Sequence, residues 1–270
     1  MIELFEKDMV SPQRKSSKGN QLKWAKDSIW YKADQMGYEG LSEYVVSQLL
    51  FCSNLSYDMI TAYQTEQIRY RSRIMNGCSS RNFLKRGESL ITLERLFHQF
   101  RGGRSFYSSV FRIPDTEDRA DFIVSQTEAL TGLAGFGKYL CLLLEIDAFF
   151  LNEDRHLHNI AVIQKEDGSF RLCPVFDHGA SLLSDTSLDY PLEEDTLTLM
   201  KSVKSKTIAW SFQEQLDAVE NMFPQQLYFN FTHKTVEQIL DREPHYSAGE
   251  KERVRDIIFM QMRNYPYMFL

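Results

Sequence analysis

Two polar segments, each following an apolar stretch, hold the residues of this chain best suited to chemistry. The first, residues 152–159, contains Asp154 and, five positions later, Asn159. The second contains Asp177 within the tetrapeptide Phe-Asp-His-Gly at 176–179. Phosphoryl transfer from a nucleotide needs a carboxylate that accepts a hydroxyl proton, and an amide and a second carboxylate that hold magnesium. The sequence therefore predicts Asp154 as catalytic base and Asn159 and Asp177 as metal ligands.

Other residues of these two segments have less specific interpretations. His156, His158 and His178 lack the cysteines and the ligand spacing of a zinc site, so we expect His156 to orient the loop or to contact the transferring phosphate. Arg155 is open to two interpretations, a phosphate contact or an ion pair inside the loop. Gly179 is predicted to let the backbone turn sharply beside the metal ion.

A lysine far upstream is expected to contribute to the same chemistry. Lys32 lies in the strand-like segment 28–33, among apolar residues, where an unpaired lysine is costly. Glu43 follows on a helix predicted over 41–50. A strand lysine that contacts the nucleotide phosphates and is held by a helix glutamate is the clamp that kinases use. The sequence predicts a Lys32–Glu43 ion pair, with Glu39 as the alternative partner if the helix register differs.

A basic loop directly precedes this strand. It contains Gly19 and ends at Lys23. Backbone N–H groups of such a loop, together with the lysine, are suited to covering the phosphates of ATP. The loop has a single glycine and no Walker A pattern, so taken alone it is typical of an ordinary loop.

The elements that must position these residues fall into two groups. The first 90 or so residues alternate strand-like segments, at 28–33 and 60–75, with the helix at 41–50, and Asn76-Gly77 is a hairpin-type turn. Helices are then predicted over 89–100, over 120–151 and from about 207 onward. Short strands at 160–164 and 170–176 flank a turn. This order predicts an α+β, bilobed, protein-kinase-like fold, with a small β-rich N-lobe (1–90) and a larger helical C-lobe (91–270).

Composition excludes some classes of protein. A formal charge of −6 does not indicate a protein that binds nucleic acid through its overall charge. The apolar run 139–151 is too short and too charged to span a bilayer. The acidic N-terminal residues do not resemble a signal peptide, and the four cysteines lack CxxC spacing. We therefore expect a cytoplasmic protein with reduced thiols, no membrane partner and no direct contact with nucleic acid.

The ordered motifs resemble those of the HipA-like serine/threonine kinases of bacteria. The resemblance covers roughly residues 10–185: the loop Gly-Asn-Gln-Leu-Lys at 19–23, Lys32, the Asp-Arg-His-x-x-Asn loop at 154–159 and Phe-Asp-His-Gly at 176–179. The last two motifs are also similar to those of the phosphoinositide kinases. The resemblance implies ATP and Mg²⁺ as cofactors, Gln21 as a further nucleotide-binding residue and a protein substrate.

The resemblance also carries implications for regulation. In HipA-like kinases a serine three residues before the loop glycine is the self-modification site, which implies autophosphorylation on Ser16, with Ser17 as second choice. A phosphate there would add about two negative charges to a loop that is expected to bind phosphates, so it should inhibit. The resemblance further implies a toxin with an antitoxin partner. Full-length HipA toxins carry an N-terminal subdomain before this loop, and here the loop begins within about 15 residues of the first residue.

Two rival functions stay open on the sequence alone. The Asp-Arg-His loop also serves lipid and small-molecule kinases, and a catalytically silent nucleotide-binding module would share the same fold. The acidic segment 185–195 follows the metal-binding aspartate where kinases place an activation segment, and an exposed acidic loop is an equally good interpretation.

Overall fold

The computed structural model describes residues 1–10, 21–100, 102–103 and 105–270. The predicted nucleotide-loop residues Ser16, Ser17 and Gly19 lie outside these ranges. Contacts divide the chain into two compact units. The first unit consists of 1–82, 176–203 and 228–270, and the second of 83–175 and 204–227. A division of the chain into lobes 1–90 and 91–270 stays a prediction.

The first unit is built on a five-stranded sheet. Its strands are β1 (Ile2–Leu4), β2 (Lys23–Lys26), β3 (Ile29–Ala33), β4 (Tyr63–Tyr70) and β5 (Arg73–Arg81). Their spatial order is β1-β4-β5-β3-β2, with β1 parallel to β4 and the other neighbours antiparallel. Met9 follows closely after β1 yet bridges Trp24 on β2, at the other end of that order. The sheet is therefore strongly curled.

The inside of the curl is apolar. Five buried side chains form one cluster there, from four different strands: Leu4, Trp24, Tyr31, Ala33 and Ile68. Burial of such side chains contributes roughly 1.5–3 kcal/mol each, which makes this cluster a main source of sheet stability. The alternating burial of β3 leaves Lys32 on the opposite face from this cluster.

The helices of the first unit pack outside the curl. They are α1 (Glu39–Leu50), α6 (Thr196–Ser202), α8 (His233–Arg242) and α9 (Ala248–Asn264). Helix α1 lies against β4 and β5, and α9 lies against α6 and α8. Side-chain caps fix three of the starts, because Asp195, Thr232 and Ser247 each accept a backbone N–H of the first turn.

The predicted turn at Asn76-Gly77 is wrong. Both residues lie within β5, and the β4–β5 hairpin turns instead at Arg71, whose φ of 54° is left-handed. Gly77 is small for a packing reason. A Cβ added at Gly77 would lie 2.1 Å from the carbonyl oxygen of Lys32. A Cβ added at Gly40 would lie 2.5 Å from the carbonyl carbon of Gly77. The glycine signal therefore marked close contact of β5 with β3 and α1, not a turn.

The second unit combines a small sheet with helices. Its strands β6 (Ser89–Thr92), β7 (Ala161–Gln164) and β8 (Phe170–Leu172) are antiparallel in that order. Its helices are α2 (Leu93–Phe100), α3 (Phe106–Val110), α4 (Thr116–Thr131), α5 (Phe136–Phe150) and α7 (Phe212–Met222). The predicted turn between β7 and β8 is present, with Gly168 at φ 82°.

Two helix predictions in this unit need correction. Residues 89–92 form strand β6 rather than the start of a helix, because they pair with β7. The helix expected over 120–151 is two helices, since Gly132 ends α4 in a left-handed cap at φ 73°. Helix α5 is almost wholly buried, as its run of large apolar residues indicates. The α+β class predicted from the sequence is confirmed.

Among the residues that the structure describes, no helix combines the length and apolar character needed to cross a bilayer.

Candidate active site

The ion pair predicted between Lys32 and Glu43 is present in the first unit. Lys32 Nζ lies 2.6 Å from Glu43 Oε1, and the two side chains are 12% and 1% exposed. Burial alone would lower the pKa of Lys32, but Asp177 and Glu43 outweigh it and raise that pKa well above its usual value. The lysine is therefore a fixed cation at any physiological pH. Burial raises the pKa of Glu43, and Lys32 opposes that rise.

Asp177 joins the same cluster. Its Oδ1 lies 2.7 Å from Lys32 Nζ, so one ammonium group bridges two carboxylates. Asp177 has a left-handed backbone at φ 62°, a conformation that costs an aspartate on the order of 1 kcal/mol and persists only when its surroundings fix it. The neighbouring N–H of His178 donates to Glu43 Oε2 at 2.8 Å, and the N–H of Asp177 contacts Tyr63 Oη at 3.4 Å. Each of these contacts holds the strained turn.

The prediction that Gly179 supplies the sharp turn is wrong. Gly179 is not in the left-handed region, whereas Asp177, Leu182 and Leu183 are. A Cβ at Gly179 would meet Glu39 Cβ at 3.5 Å and Glu43 Oε1 at 3.6 Å, which is ordinary van der Waals contact. The conformational burden lies on Asp177, the predicted metal ligand, itself.

Helix α1 is tied to the segment that follows Asp177. Ser42 Oγ donates to the carbonyls of His178 and Ser181 at 3.0 Å, and Tyr38 Oη donates to the Leu182 carbonyl at 2.6 Å. Both oxygens of Glu43 are engaged, one by Lys32 and one by the backbone. Glu43 and Asp177 are therefore held as one body.

Glu39, the alternative partner for Lys32, has a different role. Its carboxylate accepts the N–H groups of Met36 at 2.7 Å and of Gly37 at 3.0 Å. These bonds close the turn between β3 and α1, and Glu39 thereby sets the start of the helix. The register of α1 then places Glu43, one turn later, against Lys32.

In the second unit, the loop 152–159 is anchored on a buried aspartate of α5. Asp147 Oδ2 accepts Arg155 Nε at 2.9 Å, and its Oδ1 accepts Asn152 Nδ2 at 2.9 Å. Arg155 Nη1 also donates to the Asn159 carbonyl at 3.0 Å. Burial raises the pKa of Asp147, and Arg155 opposes the rise. Arg155 therefore forms an ion pair, but its partner is Asp147 of helix α5 and not a residue inside the loop.

The predicted base and amide of this loop lie against each other. Asn159 Nδ2 donates to the Asp154 carbonyl at 2.9 Å, which directs the amide nitrogen to the backbone, so a cation at the predicted site would meet Oδ1. His156 Nε2 lies 3.8 Å from Asp154 Oδ1. Thr207 Oγ1 donates to the Arg155 carbonyl and thereby ties the loop to the segment that precedes α7. A carboxylate and an oriented amide oxygen are hard ligands that suit Mg²⁺.

Sequence reasoning missed two residues, one that anchors the loop 152–159 and one that contacts Lys32. Asp147 carries a charge inside the apolar run 139–151, and a buried charge requires a partner, so its presence signalled the anchor for a downstream arginine. Tyr63 opens β4, lies 3% exposed and places its ring 5.4 Å from Lys32 Nζ. The sequence around Tyr63 contains no comparable signal.

The remaining nucleotide-loop residues lie at the edge of the described structure. Gln21 precedes β2, and Lys23 is the first residue of β2, opposite Lys32 across the β2–β3 pair. Both side chains are partly buried. Their contact with a nucleotide stays a prediction.

The chain matches no family model and no curated protein. It does match solved structures. A crystal structure of the Helicobacter pylori proinflammatory kinase CtkA aligns with a TM-score of 0.55 and 14% identity, over 97% of this chain and 94% of that chain. The Shewanella oneidensis MR-1 toxin HipA, solved with HipB and operator DNA, aligns with a TM-score of 0.45 and 11% identity, over 96% of this chain and 63% of that chain. At 14% identity the likeness to the CtkA structure shows the fold alone, and the predicted protein-kinase-like fold is confirmed.

Proposed function

We propose that this chain is an ATP- and magnesium-dependent serine/threonine protein kinase of HipA-like type. The observation that carries the proposal is the buried cluster in which Lys32 bridges Glu43 and Asp177. Holding one cation against two carboxylates in a largely buried position is costly for a merely structural site. It is the arrangement needed where a lysine must meet phosphate and a carboxylate must meet metal.

Each residue has a defined role in the proposed reaction. Lys32, oriented by Glu43, binds nucleotide phosphates, and Lys23 assists from β2 and Gln21 from two residues before that strand. Asp177 Oδ and Asn159 Oδ1 would hold magnesium, which neutralises charge on the phosphates. Asp154 accepts the proton of the substrate hydroxyl. The hydroxyl oxygen bonds to the γ-phosphorus of ATP while the bond from that phosphorus to ADP breaks. His156, beside Asp154, orients that carboxylate.

The test is phosphotransfer from radiolabelled ATP by the purified chain without added substrate. Asp177→Ala should abolish magnesium-dependent nucleotide binding, because it removes the main metal carboxylate. Asp154→Ala should keep nucleotide binding and lower transfer by about 10²–10⁴-fold, the usual cost of losing a general base. Asp167→Ala, an exposed acid in the β7–β8 turn, is the matched control and should behave as wild type.

Three outcomes separate the alternatives. Full transfer by the Asp154 variant would refute its role as base. Labelling of added lipid or small molecules in place of protein would assign the chain to another class of kinase. Absence of magnesium-dependent nucleotide binding by the wild type would refute the proposal altogether. A toxin role, an antitoxin partner and a cytoplasmic location remain predictions from the resemblance and the composition.

A further inference from the structure

The acidic segment 185–195, which the proposed reaction does not use, is held by a buried arginine. Arg253 of α9 is 4% exposed. Its Nη2 donates to the carbonyls of Pro191 at 2.9 Å and of Leu192 and Glu194 at 3.0 Å, and its Nη1 reaches the Tyr190 carbonyl at 3.4 Å. Because this buried guanidinium donates to backbone carbonyls, it fixes the backbone of this stretch directly.

The rest of the segment is also fixed by its backbone. The N–H of Ser187 donates to the Met36 carbonyl at 2.9 Å, and the N–H of Leu188 donates to Asp185 Oδ1 at 3.1 Å. Asp195 caps helix α6 through Thr198. Tyr190 is buried between these points. Backbone contacts therefore hold the segment near its start, in its middle and at its end.

This rigid stretch presents large apolar side chains to solvent. Leu188 is 72% exposed, and Leu192 and Leu197 are 37% and 48% exposed. Single exposed leucines are ordinary, but three within ten residues on an immobilised backbone mark a contact surface. Asp185 and Asp195 are used within the segment, whereas Glu193 and Glu194 lie exposed beside the leucines. The stretch 185–195 has five acidic residues and no lysine or arginine.

We propose that residues 187–197 form a preformed docking surface for a cationic, leucine-containing segment of the protein substrate. The charge selects the occupant, since a surface of leucines among carboxylates repels anionic lipid and anionic protein segments and attracts Lys and Arg. Rigid presentation lowers the ordering cost of binding. The inference rests on the proposed protein-kinase function, because it assigns that function a substrate class.

The experiment measures binding and phosphotransfer separately, with a fluorescein-labelled serine peptide that carries Lys, Arg and Leu. A counterpart peptide carries Glu in place of each base. The wild-type chain should bind the cationic peptide at least about tenfold more tightly, and more weakly as salt is raised. Glu193→Lys/Glu194→Lys should remove that preference, and Leu188→Ser should weaken binding about three- to tenfold. The control Glu237→Lys/Asp241→Lys makes the same charge change on the exposed face of α8 and should keep wild-type affinity.

The outcomes are distinguishable from failure of the proposed kinase function. Selective, salt-sensitive peptide binding without any phosphotransfer would support the docking surface and refute the kinase. Phosphotransfer with equal affinity for both peptides, or equal loss in the α8 control, would overturn the docking surface alone. Binding of anionic vesicles, or a dimer that Glu193→Lys/Glu194→Lys dissociates, would assign the surface to another occupant and overturn the proposal.

Discussion

Asp34 offers a quantitative test of the electrostatics at the end of β3. Its Oδ1 accepts the Gly40 N–H at 2.6 Å, and its Oδ2 accepts Tyr246 Oη at 2.6 Å. Burial, and next the charge of Glu39, raise the pKa of this carboxyl to about 8. Asp34 is therefore neutral through most of the physiological range, although it joins the lysine strand to the starts of α1 and α9. Asp34→Asn should mimic the neutral form.

The sign and size of the effect follow from the raised pKa. The carboxyl ionises near pH 3.9 when unfolded and near 8 when folded, so its stabilising contribution is complete below pH 4 and is lost as pH rises to 8. Over the roughly 3 pH units between pH 5 and 8, the free energy of unfolding falls by at most about 4 kcal/mol through this group. Residual solvent contact of the side chain reduces this, and we expect about 2 kcal/mol.

The measurement is urea unfolding at pH 5 and pH 8. Asp34→Asn should lose less stability than wild type over this interval, by about 2 kcal/mol, because its amide cannot ionise. Asp241→Asn, an exposed acid on α8, is the control and should follow wild type. Parallel pH dependence of Asp34→Asn and wild type would refute the assignment of a neutral Asp34.

Three further predictions concern the loop anchor, the sheet and the nucleotide loop. Asp147→Ala should lower the free energy of unfolding by about 3–5 kcal/mol, because it leaves Arg155 buried without its carboxylate; a loss under 1 kcal/mol in urea titrations would contradict this. Gly77→Ala should destabilise strongly, since its Cβ would lie 2.1 Å from a β3 carbonyl oxygen, and an unchanged melting temperature would show that the strands yield easily. Ser16→Ala should remove the main autophosphorylation site seen by mass spectrometry after incubation with Mg-ATP, with the catalytic-base variant unlabelled; full labelling of Ser16→Ala would disprove that site.

The part of the site that the sequence could predict consists of charged residues whose burial without a partner would cost free energy. A lysine in the middle of strand β3 needed a carboxylate, and Glu43 supplied it. The same argument would have applied to Asp147 in an apolar helix, but its pairing with Arg155 was not predicted, and an ion pair was only one of two interpretations of Arg155.

Features set by tertiary approach were not predictable in the same way. Gly77 looked like a turn residue because glycine signals both turns and close packing, and only the position of α1 separates the two. Gly179 looked like the flexible residue beside the metal, but the left-handed backbone falls on Asp177 because Glu43 and Lys32 hold it there. The strand β6 was assigned to a helix because its partner β7 lies about 70 residues later.

The discontinuity of the first unit has a consequence for biosynthesis. Asp177 follows Lys32 by 145 residues, Tyr246 follows Asp34 by 212, and Arg253 follows Pro191 by 62. Contacts of such long sequence separation form late, since loop closure must precede them. A chain cut before Tyr246 would contain every predicted catalytic residue yet lack the bonds that hold residues 190–194 and the end of β3. During synthesis, the proposed site would therefore reach its full set of bonds only after α9 has been made.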